Sequence, residues 1–188
     1  PDPSHLVGGG AIRQLADETG LPIRVEEKLS ERLPFANASF DIIFARAVLH
    51  HIADLPTAMR EFERVLKPGG LFIAAREHVI SDPIDLPTFF ENHALHHRYG
   101  GENALQLHVY QEAIRHSGLR LERTIGSLDS PINFGPQSTD EIYNRILEQM
   151  VPVAILRRPL LSFLKIPGVG VLVRRLASRM DRRPGRHA

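Results

Sequence analysis

The sequence has no cysteine among its 188 residues. That excludes disulfides and thiolate metal sites, while leaving the redox compartment open. No apolar run approaches the ~20 residues that a membrane-spanning helix needs. Charge of either sign is not in excess, the formal net charge being +1. No signal peptide is visible, and the chain opens on Pro1, not methionine. It is read as a piece of a longer protein, expected to be inactive alone and to reside in the cytoplasm. Its length suffices for one domain with a true core.

The stretch from Leu33 to Glu77 is the organising element. Asp41–Ala45 and Leu71–Ala75 are short, nearly continuous apolar runs, which suit parallel strands covered on both faces. Between them Leu55, Ala58, Met59, Phe62, Val65 and Leu66 fall on one side of a helix. Asp54 is the expected N-cap, with Pro56 in the first turn. Lys67-Pro68-Gly69-Gly70 is expected to stop the helix, glycine supplying a left-handed cap. The result is a βαβ unit with a right-handed crossover.

Four motifs within this stretch, Leu33-Pro34-Phe35, Ser39-Phe40-Asp41, Leu49-His50-His51 and Arg64-Val65-Leu66-Lys67-Pro68-Gly69-Gly70, occur in order and at consistent spacing. Together they resemble the class I S-adenosyl-L-methionine (SAM) dependent methyltransferases, over roughly residues 1 to 125. The resemblance implies an α/β fold, a Rossmann-like sheet seen here without its first strand and glycine-rich loop, plus a C-terminal helical tail. Residues 1–135 would form the methyltransferase-like domain, with 78–106 a substrate-side insertion or lid, and 136–188 a helix and a basic, apolar tail.

The same resemblance implies SAM as cofactor and assigns its contacts. Asp2 stands where the family's second strand ends in the acid that binds the ribose hydroxyls. Leu29 stands where the family has an aspartate for the adenine amino group; it can cover the ring but cannot accept those protons. The backbone of Ser30 would meet the ring edge, and Ala45 and Arg46 would flank the cofactor at the carboxyl end of their strand. His50 and His51 fall beside the reacting centre, because ligands of open α/β sheets bind beyond the strands' carboxyl ends. There a histidine can take a proton from an oxygen or nitrogen nucleophile, although the motif also serves loop packing. Val7-Gly8-Gly9-Gly10 is no substitute for the glycine-rich loop, since it follows Asp2 and no strand precedes it.

Further elements are expected on either side. Ser4 is read as the cap of a first helix through Ala16, and Ile23–Glu26 as a third strand. A helix through Leu107 and Ile114 ends at Gly118, followed by an alternating sixth strand, Leu119–Ile125, and an edge strand within Asp129–Phe134. Ser138-Thr139-Asp140-Glu141 reads as a capping box opening one more helix.

Glu77 and His78 face the expected pocket mouth. The insertion gathers His93, His96, His97, Tyr99, Glu102 and Asn103 around Gly100-Gly101, and with His78 these are the expected substrate contacts. Such donors and acceptors suit a polar small-molecule or glycan-type acceptor. His93 and His97 have the spacing of a metal pair on one helical face, but no third ligand is signalled and no metal is expected.

From Val153 onward nine basic residues face one acid, Asp181. This tail reads as a membrane-surface anchor, a protein-docking segment, or a cap over the domain's own sheet. No nucleic-acid partner is expected, because only Phe163 offers a stacking ring there. Two functions remain open: SAM-dependent methyl transfer, or a degenerate methyltransferase-like scaffold acting by binding, which Leu29 favours.

Overall fold

The computed structural model describes residues 8–188. Helix α1, Gly8–Thr19, leads through an irregular segment to strand β1, Phe40–Arg46. A single helical turn at Leu49–His51 precedes α2, Leu55–Val65, and strand β2, Leu66–Ala75. β1 and β2 pair in parallel, with Ile43 opposite Phe72 and Ala45 opposite Ala74. This is the βαβ unit expected from the sequence. Asp54 caps α2, its carboxylate accepting from the Thr57 N–H at 3.0 Å.

Leu55, Ala58, Met59, Phe62 and Val65 are the buried side of α2. Of these, Leu55, Met59 and Phe62 pack with Leu49, Ile43 and Phe72 into the main core. A buried side chain of this size contributes roughly 1.5–3 kcal/mol, so this face holds the helix to the strands. Arg64 explains why two of the motifs travel together. Its guanidinium donates to the carbonyls of Leu33 (3.2 Å) and Phe35 (2.8 Å), which are the backbone of Leu-Pro-Phe. Glu61 braces the guanidinium at 2.8 Å and accepts from the Leu33 N–H at 2.9 Å.

Several expectations need correction. α2 is not ended by a left-handed glycine: its C-cap Leu66 is extended, and the strand follows at once. The glycines serve the strand instead. Gly69 has φ +79°, and a Cβ on Gly70 would press on the carbonyls of Lys67 and Asp41. The strands are also not covered on both faces among the described residues, since Ile42 and Phe44 are each 59% exposed. Ile23–Glu26 and Leu119–Ile125 are not strands. β1 and β2 pair only with each other among the described residues, so neither segment finds a ladder for its backbone.

Beyond β2 the chain turns at Arg76 (φ 60°) into β3, His78–Ile80. The insertion then folds into α3, Leu86–Asn92, and α4, Ala94–Tyr99. β4, Leu105–Gln106, returns parallel to β3 and leads into α5, Leu107–His116, which packs against α2. The stretch expected to hold an edge strand instead forms α6, Pro131–Phe134, because Ser130 caps it and Pro131 starts it. α7, Thr139–Met150, opens on the expected capping box of Ser138 and Glu141.

The tail forms α8, Arg157–Leu164, α9, Val169–Met180, and β5, Arg186–His187. It packs against the chain itself: α8 and α9 lie on α7, and β5 pairs antiparallel with β3. Part of its basic charge meets internal partners, including Lys165 with Asp140 (2.6 Å) and Arg186 with the Ser81 hydroxyl (3.1 Å). Its outer side still carries exposed Leu172, Leu176 and Met180. No helix among the described residues is long and apolar enough to cross a membrane.

Candidate active site

The carboxyl ends of β1 and β2 carry the polar centre. After β1, Ala47 adopts φ 51° and the chain folds into the turn that holds His50 and His51. After β2 comes Glu77, whose residue is only 3% exposed. Its carboxylate accepts from the N–H groups of Val48 (3.1 Å) and His50 (3.2 Å), and from His50 Nδ1 at 2.8 Å. Burial alone would raise the Glu77 carboxyl, but the His50 ring and the neighbouring backbone donors outweigh it and hold the group below its ordinary value. Glu77 is therefore an anion that fixes the His50 ring and ties the two strand ends together.

The opposite side is closed by the insertion. Glu102 Oε2 lies 3.4 Å from His50 Nε2, 3.8 Å from His51 Nε2 and 3.9 Å from His78 Nε2. His78 Nδ1 is held by the Gly185 carbonyl at 3.3 Å, and His51 Nδ1 by the Gly101 carbonyl at 2.9 Å. Burial, reinforced by His50, His187 and His93, lowers the His78 pKa to about 4. His78 is thus a neutral imidazole at physiological pH. The rings of His93 and His187 pack on it at 4.8 and 5.2 Å, and both are pushed toward the neutral form, chiefly by burial.

The expected site residues divide clearly. His50, His51, His78, His93 and Glu102 come together. His96 does not join them: it stacks on Phe90 at 4.3 Å. His97 is bound through Nε2 to the Glu91 carbonyl (2.8 Å), whereas His93 caps the start of α4, so the pair does not share a ligand position. Tyr99 is exposed, and Asn103 uses its side-chain oxygen on the adjacent Ala104 N–H. Ala45 is buried in the core and Arg46 exposed at the end of β1, while Leu29 is exposed and Ser30 half-buried in a loop. Asp2, like Ser4, lies outside the described residues.

Glu77 was noted in the sequence but given no role; its place directly after an apolar strand was the signal. His187 carried none, because only the antiparallel return of β5 brings it here. A separate cavity of about 1060 Å³ opens beside β2, where residues 118–125 stand off from the strand. It reaches Glu77 and Leu49, but His50, His78 and Glu102 do not line it. It lies where the sequence led one to expect the sixth strand.

Residues 10–74 match the family model described as a methyltransferase domain. The uncharacterized methyltransferase YcgJ of Bacillus subtilis is 40% identical over 70 residues, covering 37% of this chain and 28% of that protein. The crystal structure of YcgJ superposes with a TM-score of 0.51 at 31% identity, over 58% of this chain and 47% of that one. A 45-residue match, 47% identical, joins 24% of this chain to 14% of the protein named arginine-hydroxylase NDUFAF5 of Danio rerio. In each comparison the chain spans less than half of its relative's length. The resemblance to the class I methyltransferase family carried by the four motifs is thereby borne out, with residues 10–74 as the shared core.

Proposed function

We propose that the protein carrying this chain transfers a methyl group from SAM to a polar small-molecule or glycan-type acceptor. The observation that supports this most is the junction of the matched βαβ core with a cluster of carboxylates and histidines at its strand ends. The chemistry of the residues present fits the cofactor. Exposed Leu29 offers an apolar face for adenine, and the Ser30 backbone offers polar groups for its edge. Ala45 and Arg46 stand at the end of β1, and Asp2 is the proposed ribose partner.

When bound, SAM supplies an electrophilic methyl group. The protein's task is then to position the acceptor in line and to receive its proton. His51 suits the second part. Its Nδ1 faces a carbonyl that can only accept, so Nδ1 carries the hydrogen and Nε2 is left as the base. At 42% exposure its side chain can meet an incoming acceptor. His50, at 1% exposure, is a positioning residue held by Glu77.

The test is methyl transfer by the full-length protein from isotopically labelled SAM to a panel of hydroxyl- and amine-bearing acceptors. His51→Gln is expected to lower kcat about 10²–10⁴-fold with SAM affinity unchanged. Transfer to no member of the panel, or full activity in the variant, would contradict this reading.

A further inference from the structure

Two histidines and a carboxylate converge beside the strand ends, each histidine held through its other ring nitrogen. The Glu77 carboxylate holds His50 Nδ1 at 2.8 Å, which leaves Nε2 as the ring nitrogen beside Glu102. The Gly185 carbonyl can only accept, so His78 Nδ1 carries a proton. With each Nδ1 so engaged, the two Nε2 atoms are the ring positions left to act as ligands. They lie 3.4 and 3.9 Å from Glu102 Oε2. All three ligand atoms lie within 4.8 Å of one another, on side chains 1%, 12% and 12% exposed. Two imidazole nitrogens and a carboxylate oxygen grouped in this way are the donor set of a metal site.

We propose that His50, His78 and Glu102 form a binding site for a divalent transition-metal cation of the zinc type. Two imidazoles and one carboxylate are borderline N/O donors, which select Zn²⁺ and its neighbours over Mg²⁺ or Ca²⁺. Ligands about 2.1 Å from a tetrahedral centre stand roughly 3.4 Å apart; His50 Nε2 and Glu102 Oε2 have that separation, and His78 Nε2, at 3.9 Å from Glu102 Oε2, would close in slightly on binding. The surrounding shell is built in the way metal sites require. Glu77 orients His50 and the Gly185 carbonyl orients His78, each through Nδ1. Three protein ligands leave a coordination position open, as at catalytic centres. His51, beside Glu102 and partly exposed, marks the open side. An acceptor hydroxyl bound there would be acidified by the cation before His51 removes its proton.

That last role rests on the methyl-transfer reading; the site itself does not. The test is calorimetric titration of the chelator-treated full-length protein with ZnCl2, together with the visible spectrum on adding Co²⁺. The expected result is one equivalent bound and the absorption of four- or five-coordinate Co²⁺. Glu102→Gln should weaken binding by about 100-fold or more, as should His78→Gln. His108→Ala, which removes an exposed histidine elsewhere, should leave it unchanged. Thermal melts check that each variant is folded; Glu102, in a loop beside Gly101, is the substitution best tolerated. No stoichiometric binding, or binding that Glu102→Gln leaves intact, would overturn the site. Metal bound as expected, with no methyl transfer to any acceptor, would support the site and overturn only the proposed reaction.

Discussion

Glu77→Gln isolates the contact that joins the two strand ends. The glutamine keeps the shape of the side chain but replaces one acceptor oxygen with an NH2 donor. In the native site Oε1 accepts from the Val48 N–H, and Oε2 accepts from both the N–H and Nδ1 of His50. Whichever way the amide is turned, at least one buried donor then faces another donor. A buried donor left unsatisfied costs about 1–3 kcal/mol. The surviving bonds lose their charge and roughly half their strength. The expected destabilisation is therefore about 2–4 kcal/mol, for a residue only 3% exposed. In a chain of this size each kcal/mol moves Tm by ~2–4 °C, so the midpoint should fall by roughly 5–15 °C. Thermal and urea unfolding of the two proteins measure this directly. A loss of less than about 0.5 kcal/mol, the level of an ordinary surface substitution, would show that Glu77 does not hold the turn carrying His50.

Two more consequences are open to measurement. Arg64→Met removes the bonds to Leu33 and Phe35, and should lower the urea midpoint of unfolding. The Glu61 carboxyl, held at about 2 chiefly by the Arg64 side chain, should rise toward its ordinary 4.5 in an NMR titration of that variant; no movement would refute the brace. Asp181 is held at about 2, because bonds from Arg183 and Ser127 outweigh its burial. A depressed carboxyl stabilises the fold above its ordinary value of 3.8, and that contribution disappears as the pH falls through about 2. Asp181→Asn should therefore lower Tm at pH 6 and have progressively less effect toward pH 2; a Tm difference independent of pH would refute this assignment.

The βαβ unit was legible because each of its elements carries its own local evidence. The spacing of Leu55, Met59 and Phe62 sets the helical face, Asp54 caps it, and the apolar runs of β1 and β2 find each other across a short crossover. Ile23–Glu26 and Leu119–Ile125 have strand-like composition, but a strand exists only by pairing, and no ladder reaches them. At Asp129–Phe134 the local chemistry was present and read wrongly: Ser130 followed by Pro131 is the start of a helix.

The site was half legible for a related reason. His50, His51 and Glu77 sit where strands end, a place the pattern announces. The convergence of Glu102 and His187 on the same point depends on how the insertion and tail fold back, and no spacing encodes that. His96, His97 and Tyr99 looked equivalent to His93 in sequence. The start of α4 at His93 separates them, turning each toward a different neighbour.

The central claim is that the strand ends of this chain hold SAM. Backbone amide NMR of the isotopically labelled full-length protein, recorded as SAM is added, tests it residue by residue. The account predicts saturable shifts concentrated at Leu29, Ser30 and the run from Ala45 to His51, with α8 and α9 unmoved. An unchanged spectrum, or shifts confined to the tail helices, would contradict it.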